Sequence, residues 1–592
     1  MKILVFAPHA YIWKHAFPEA ILVESLMKKG HEVIYIKCSG AFSQHCISMI
    51  SSHIPHDASV EVKNKICSEC RANAELIVKS FDFPSNDLDS FLDDSDKLQI
   101  NEILNNTTKE NFSKIILDNI KIGETALYQV LLRYKQSKSN QFSDKAWQEY
   151  LKQLNVSLSA FFSLKKIINT YKPDRIIQYS GLYSVNSICR KIAQNNNISS
   201  YFLHAGLNQR DRLQHLIIAK DHTFEYIKSL FDSWYKEYKN KTCTQDSIYK
   251  VTDNFIDIIK SKSFLSYSQS KTEQFDIRKK FNIPEGKKII VAVMSSYDEH
   301  LAADAVGAYR HNINPIFKTQ IDWIKTLINF FKNRNDLFLI IRLHPREFPT
   351  KREKTSAIIS QHAKDVEAEF KNLPNNIVIN WPTDMVSFYD LIEETDLFLN
   401  AFSTSAREIT MLGLPVLTYN NEDALEPVSI NYSGDSIDEY LLQIDVLLEK
   451  RFDHERIRSA YRWRALEQVY SHVSIEESFK EKDDLLTLPE KIIKKIKRML
   501  NTVFPLYSQK RDCNNRSVIL QSAENIENLL FLDEGNVSNV IATKLTHNLS
   551  ADDELKIIKK EIKRLISCMY NEKQLTVKNG TLRFYLESFV NS

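Results

Sequence analysis

Hydroxyl, imidazole, guanidinium and carboxylate side chains gather at a few points of the chain, each close to an apolar run. The most informative is Asp396-Leu397-Phe398-Leu399-Asn400-Ala401-Phe402-Ser403-Thr404-Ser405-Ala406-Arg407-Glu408. An apolar strand pattern there ends in a hydroxyl-rich turn that opens a helix. Ser403, Thr404 and Ser405 would converge with backbone N–H groups and the positive helix end where a phosphate can dock. Glu408, one turn in, would accept hydrogen bonds from a ribose, and Gly413 and Pro415 turn the chain into the next strand. An N-capped helix between two strands would use the same hydroxyls with no ligand at all. A second β-branched run, Leu339-Ile340-Ile341, leads into Arg342-Leu343-His344-Pro345-Arg346-Glu347. This puts an imidazole between two guanidiniums at the carboxyl edge of a parallel sheet, where open α/β folds bind ligands and where a phosphate would be well served. A third strand pattern ends in Ser295 and Ser296, either a phosphate-facing loop or ordinary turn residues.

Four of the eight cysteines, Cys38, Cys46, Cys67 and Cys70, follow the spacing Cys-x7-Cys-x20-Cys-x2-Cys. Four thiolates can close a tetrahedral structural zinc site, the alternative being free buried thiols. The segment 491–500 places Ile492, Ile493, Ile496, Met499 and Leu500 on one helical face and five cations on the other. That pattern suits an anionic membrane surface, or equally a helix docked on its own protein. Arg456, Arg458, Arg462 and Arg464 alternate with Tyr461 and Trp463, a weak pattern for nucleic acid, which is not expected as a partner.

The elements that must position these groups alternate strand and helix. Strands are expected at 2–7, 31–36, 174–181 and 200–206, with a helix at 18–29 closed by Gly30. A polar, helical insertion is expected at about 73–169. After a Ser- and Lys-rich linker at 261–273, strands follow at 288–294, 337–343, 377–380, 397–399 and 415–419, with helices at 320–332 and 405–412 between them. Two Rossmann-like, doubly wound α/β domains facing a cleft are therefore expected: 1–265 for an acceptor, 276–482 for a donor, then a basic, mostly helical tail at 483–592.

The Ser-x-Ser-x-x-Glu and Gly-x-Pro-Val elements at 403–416 resemble the donor-binding segment of GT-B glycosyltransferases. The Arg-x-His-Pro element at 342–345 resembles that of capsule-polysaccharide transferases of the Kdo and polysialic acid type, and of CDP-glycerol-type polymer transferases. In the first domain, His15-Ala16-Phe17-Pro18 resembles the His-x-x-Pro opening of GT-B enzymes. The resemblance implies a metal-independent glycosyltransferase of bacterial surface-glycan assembly, with no cofactor required for chemistry. His344 would face the donor phosphate. His15 would act as general base, with Glu19 and His9 competing for that role; neutral imidazole suits removal of a hydroxyl proton. The donor would be a nucleotide-sugar, a CMP-sugar being favoured, and the acceptor a growing or lipid-linked glycan. A CDP-polyol phosphotransferase and a non-catalytic nucleotide-sugar-binding protein are the alternatives.

Composition agrees with an enzyme of this size. A chain of 592 residues exceeds one ordinary core, and 43% hydrophobic with 26% charged residues excludes disorder. Seventy-eight basic against 75 acidic side chains exclude a surface built wholly for nucleic acid. Only 11 glycines, with neither a P-loop nor Gly-x-Gly-x-x-Gly, argue against kinases and dehydrogenases. The opening residues read as a strand rather than a leader, and no apolar stretch is long enough to cross a bilayer. A cytoplasmic protein, peripheral at the inner membrane through its tail, is the expectation.

Overall fold

The computed structural model describes residues 1–260, 275–309, 315–350, 358–401, 403–419, 425–427, 430–450, 452–479, 505–541, 548–570 and 581–592. The expected linker at 261–273 and basic helix at 491–500 lie outside the described residues.

Two sheets organise the chain. In the first, β1 (Lys2–Phe6), β2 (Glu32–Lys37), β3 (Ser85–Asp87), β4 (Arg175–Tyr179) and β5 (Ser199–Ala205) run parallel in the order β3-β2-β1-β4-β5. β6 (His215–Lys220) and β12 (His472–Ser474) extend it antiparallel beyond β5. The second sheet is wholly parallel. Its strands are β7 (Lys288–Val293), β8 (Leu337–Arg342), β9 (Ile377–Asn380), β10 (Leu397–Asn400) and β11 (Val416–Thr418), in the order β9-β8-β7-β10-β11. Both are doubly wound Rossmann-like sheets whose strand order reverses beside the first strand, between β1 and β4 and between β7 and β10. A crevice opens at the carboxyl ends of such strands.

Side chains alternate between the faces of the first sheet. Ile3 and Val5 point into one core with Phe17, Ile21 and Ile526, whereas Leu4 and Phe6 point into another with Leu154, Leu158 and Ile188. The second core draws on the helix Asp144–Tyr171, so the 73–169 stretch supplies much of one layer of the first half instead of hanging off it. β8 is buried along its whole length, as expected for a parallel strand covered on both faces.

The carboxyl-terminal segments return to both halves. Helices Pro505–Asn515 and Ala523–Leu532 lie on the first half, where Trp13 Nε1 donates to Asp512 at 3.0 Å and Arg516 stacks 3.9 Å over Phe81. Helix Ala551–Met569 packs beside Gln245–Ile259 and His454–Ala465, its buried Glu554 accepting from Arg458 at 2.8 Å and Arg462 at 2.7 Å. The arginines of the helix considered for nucleic acid are thus engaged internally, Arg464 with Glu426 and Glu467, and Arg456 over Tyr432.

Candidate active site

The first cavity is a small cleft at the switch point of the first sheet. The loop after β1 contributes His9, the helix Trp13–Lys28 contributes His15 and Glu19, β4 contributes its last residue Tyr179, and the chain after it contributes Tyr183 and Asn186. That helix begins five residues earlier than the sequence suggests. Pro18 lies inside it, and the missing amide gives up only the bond to the Lys14 carbonyl of an exposed turn. His15 therefore stands on the first turn, and Glu19 follows four residues later on the same face. The imidazole of His15 stacks on Tyr179 at 4.1 Å and 9° between planes, and the Tyr179 hydroxyl accepts from the Ala205 amide at 3.2 Å. Asn186 Nδ2 donates to the Tyr179 carbonyl at 3.1 Å.

Both ring nitrogens of His9, Glu19 Oε2 and Asn186 Oδ1 are buried without a hydrogen-bond partner among the described residues. Burial decides the protonation states here. It holds His9 down to about 3 and His15 to about 3, the latter helped by unfavourable charge interaction with the neighbouring His204, Arg212, His9 and Lys14 side chains. Glu19, only 2% exposed, is pushed up to about 8. At neutral pH the imidazoles are neutral acceptors and the Glu19 carboxyl holds its proton.

The second cavity, larger than the first, opens at the switch point of the second sheet. It is lined by Val293 and Met294 at the end of β7, Arg342 and His344 at the end of β8, Ser403, Thr404, Ser405 and Glu408 after β10, and Tyr389. Arg342 donates through Nη1 to Asn380 and to the Val386 carbonyl at 3.1 Å, which fixes its guanidinium. Burial lowers Arg342 only to about 10, so it remains a cation at pH 7. His344 Nδ1 accepts from the Arg346 amide at 3.2 Å, leaving the Nε2 proton to donate, and burial lowers the ring to about 4. Ser405 Oγ donates to Ser403 Oγ at 2.9 Å. Tyr389 donates to Glu408 at 2.7 Å, while burial pushes that carboxyl up to about 7. The helix Ala406–Met411 is six residues long, so the hydroxyls and Arg342 must supply most of the anion-binding capacity.

Three groups of expected residues stand apart from these two cavities. Arg346 does not line the cavity: it donates to Asp298 at 2.8 Å and to the Leu132 carbonyl at 2.9 Å, joining the two halves. Ser295 and Ser296 follow Met294 but do not line it either. The Ser295 amide donates to Gln320 at 2.8 Å, and Ser296 Oγ is buried without a partner among the described residues. Cys46 lies near Cys38, Cys67 and Cys70, but as the side chains stand no three His, Cys, Asp or Glu among the described residues are placed to hold a metal ion. Cys70 packs against one core of the first half and Cys38 and Cys46 against the other. Burial raises all four thiols, Cys46 to about 12.

Tyr179, Asn186, Gln209 and Tyr389 escaped sequence reasoning. Tyr179 ends the strand expected at 174–181 and Asn186 stands in the first turn of the helix that follows, and the rule that ligands meet strand carboxyl ends would have found them. Gln209 and Tyr389 come from segments with no local signal.

The sequence matches no protein-family model and no curated protein. Among solved structures, the chain is similar to a putative UDP-N-acetylglucosamine 2-epimerase from Listeria monocytogenes, at 9% identity over 78% of this chain and 94% of that one, with a TM-score of 0.26. A Methanocaldococcus jannaschii UDP-GlcNAc 2-epimerase in complex with UDP-GlcNAc and UDP gives 12% identity, 78% and 98% coverage, and a TM-score of 0.25. The Thermosulfurimonas dismutans KpsC, a beta Kdo 2,4 transferase, gives 9% identity, 49% and 79% coverage, and 0.31. Likenesses this distant carry neither activity nor substrate to this chain, and function has to be argued from the two cavities.

Proposed function

We propose that the chain transfers a glycosyl group from a nucleotide-activated donor, held in the second cavity, to a hydroxyl of a glycan acceptor presented at the first. The observation that carries this reading is the pairing of two switch-point cavities, one gathering Arg342, His344, Ser403, Ser405 and Glu408, the other gathering His9, His15 and Glu19. Neutral His15 takes the proton of the acceptor hydroxyl as the new glycosidic bond forms. The bond from the anomeric carbon to the nucleotide phosphate breaks. Arg342, the Nε2 proton of His344 and the serine hydroxyls receive the charge left on that phosphate, and Glu408 accepts from the ribose. The acceptor is a bacterial surface glycan, and 491–500 holds the enzyme at an anionic membrane.

Two variants test this. His15→Ala is expected to lower turnover at least a hundredfold while nucleotide binding, read as a thermal shift, stays within twofold. Glu408→Gln is expected to weaken nucleotide binding. Full turnover in His15→Ala would remove His15 as base, and a product containing the donor's phosphate would replace glycosyl transfer by phosphodiester transfer.

A further inference from the structure

Almost every polar side chain lining the second cavity belongs to the second half; the exception is Gln209. It lies in the loop between β5 and β6 and reaches the cavity from the first half, as Ile258 does. The loop is firmly held. Its ends are tied where the Gly206 amide donates to the Arg212 carbonyl at 2.7 Å. Asn208 Nδ2 donates to the Lys250 carbonyl at 3.2 Å, the Gln209 amide donates to Asn254 Oδ1 at 2.9 Å, and Arg210 Nε meets Asp257 at 3.0 Å. These anchors lie on the helix Gln245–Ile259, so the Gln209 side chain is presented from a fixed backbone.

The neighbouring polar groups are already engaged, Glu408 with Tyr389, Ser403 with Ser405 and Arg342 with Asn380. Gln209 Oε1, by contrast, is buried and has no partner among the described residues. A buried amide oxygen left unpaired is costly, and it can only accept. An ionised phosphate has no proton to offer it, whereas a sugar hydroxyl or an acylamino N–H does. The transferred sugar must also face the half that carries His15.

We infer that Gln209 is a donor-specificity residue, its amide oxygen accepting a hydrogen bond from a hydroxyl or N–H of the glycosyl part of the donor. This rests on the glycosyl-transfer reading above. The test compares wild type, Gln209→Met, which keeps length and volume, and Gln209→Leu. Each is titrated calorimetrically with cytidine, uridine and guanosine mono- and diphosphates and with the matching nucleotide-sugars. Loss of one such hydrogen bond is expected to weaken nucleotide-sugar binding by about tenfold while the free nucleotide binds within twofold of wild type. Unchanged nucleotide-sugar binding, or equal weakening of nucleotide and nucleotide-sugar, would overturn the assignment and leave glycosyl transfer standing. Wild type that binds no member of the panel would overturn both.

Discussion

His15 and Glu19 occupy successive turns of one helix, yet burial drives their protonation in opposite directions, about 3 for the imidazole and about 8 for the carboxyl. A desolvated site favours the neutral form of each, which for a histidine is the acceptor and for an acid the donor. Glu408 sets the expected pH profile. Its carboxylate is present above about 7 and is lost as pH falls through that value, so kcat/KM for the donor should show an acid limb near pH 7. Tyr389 donates to the ionised form, so Tyr389→Phe should move this limb to higher pH; an unmoved limb would assign it to another group.

The strands of the second sheet were legible because each is a short apolar run ending in a turn or a helix pattern. Lys288–Val293 and Leu337–Arg342 agree with expectation to within a residue. Arg342, His344, Ser403 and Glu408 were legible for the same reason, since chemistry-bearing residues just after such runs land on one edge. The fate of Arg346, two residues beyond His344, depends on Asp298 and Leu132, which no local pattern ties to it. The antiparallel extension was illegible as well. β12 is three residues long and its partner β6 lies about 250 residues earlier, so only tertiary packing selects it. Gly535 shows how tightly this edge is closed. The Lys220 amide donates to its carbonyl at 2.9 Å, Asn536 bridges Ala219, and a Cβ on Gly535 would lie 2.7 Å from Ser229 Cβ. Gly535→Ala is expected to cost about 1–3 kcal/mol, read as a lower Tm, whereas an unchanged Tm would mean that the Asn536 bridge is not held against the Thr223–Lys236 helix.

At the scale of the molecule, the two halves meet through charged side chains that enter each other's backbone. Lys135 Nζ donates to the carbonyls of Phe348 at 3.0 Å and Ile358 at 3.1 Å, and Arg190 Nη2 donates to Val306 at 3.2 Å. Arg346 completes the set with Asp298 and Leu132. Arg346→Leu leaves the buried Asp298 carboxylate unpaired and is expected to cost about 3 kcal/mol. Calorimetry should show the halves unfolding at separated temperatures in this variant, and a single transition at the wild-type temperature would show that the bond from Arg346 to the Leu132 carbonyl contributes nothing to their coupling.

The strand His472–Ser474 and the segment around Asn536 are also the last parts of the first sheet to leave the ribosome. Until they arrive, β6 presents unpaired backbone groups to solvent for the time needed to synthesise some 250 further residues. A nascent chain in that interval should be a chaperone client, and a fragment ending before residue 472 should aggregate more readily than the whole chain, which side-by-side sedimentation of the two would check.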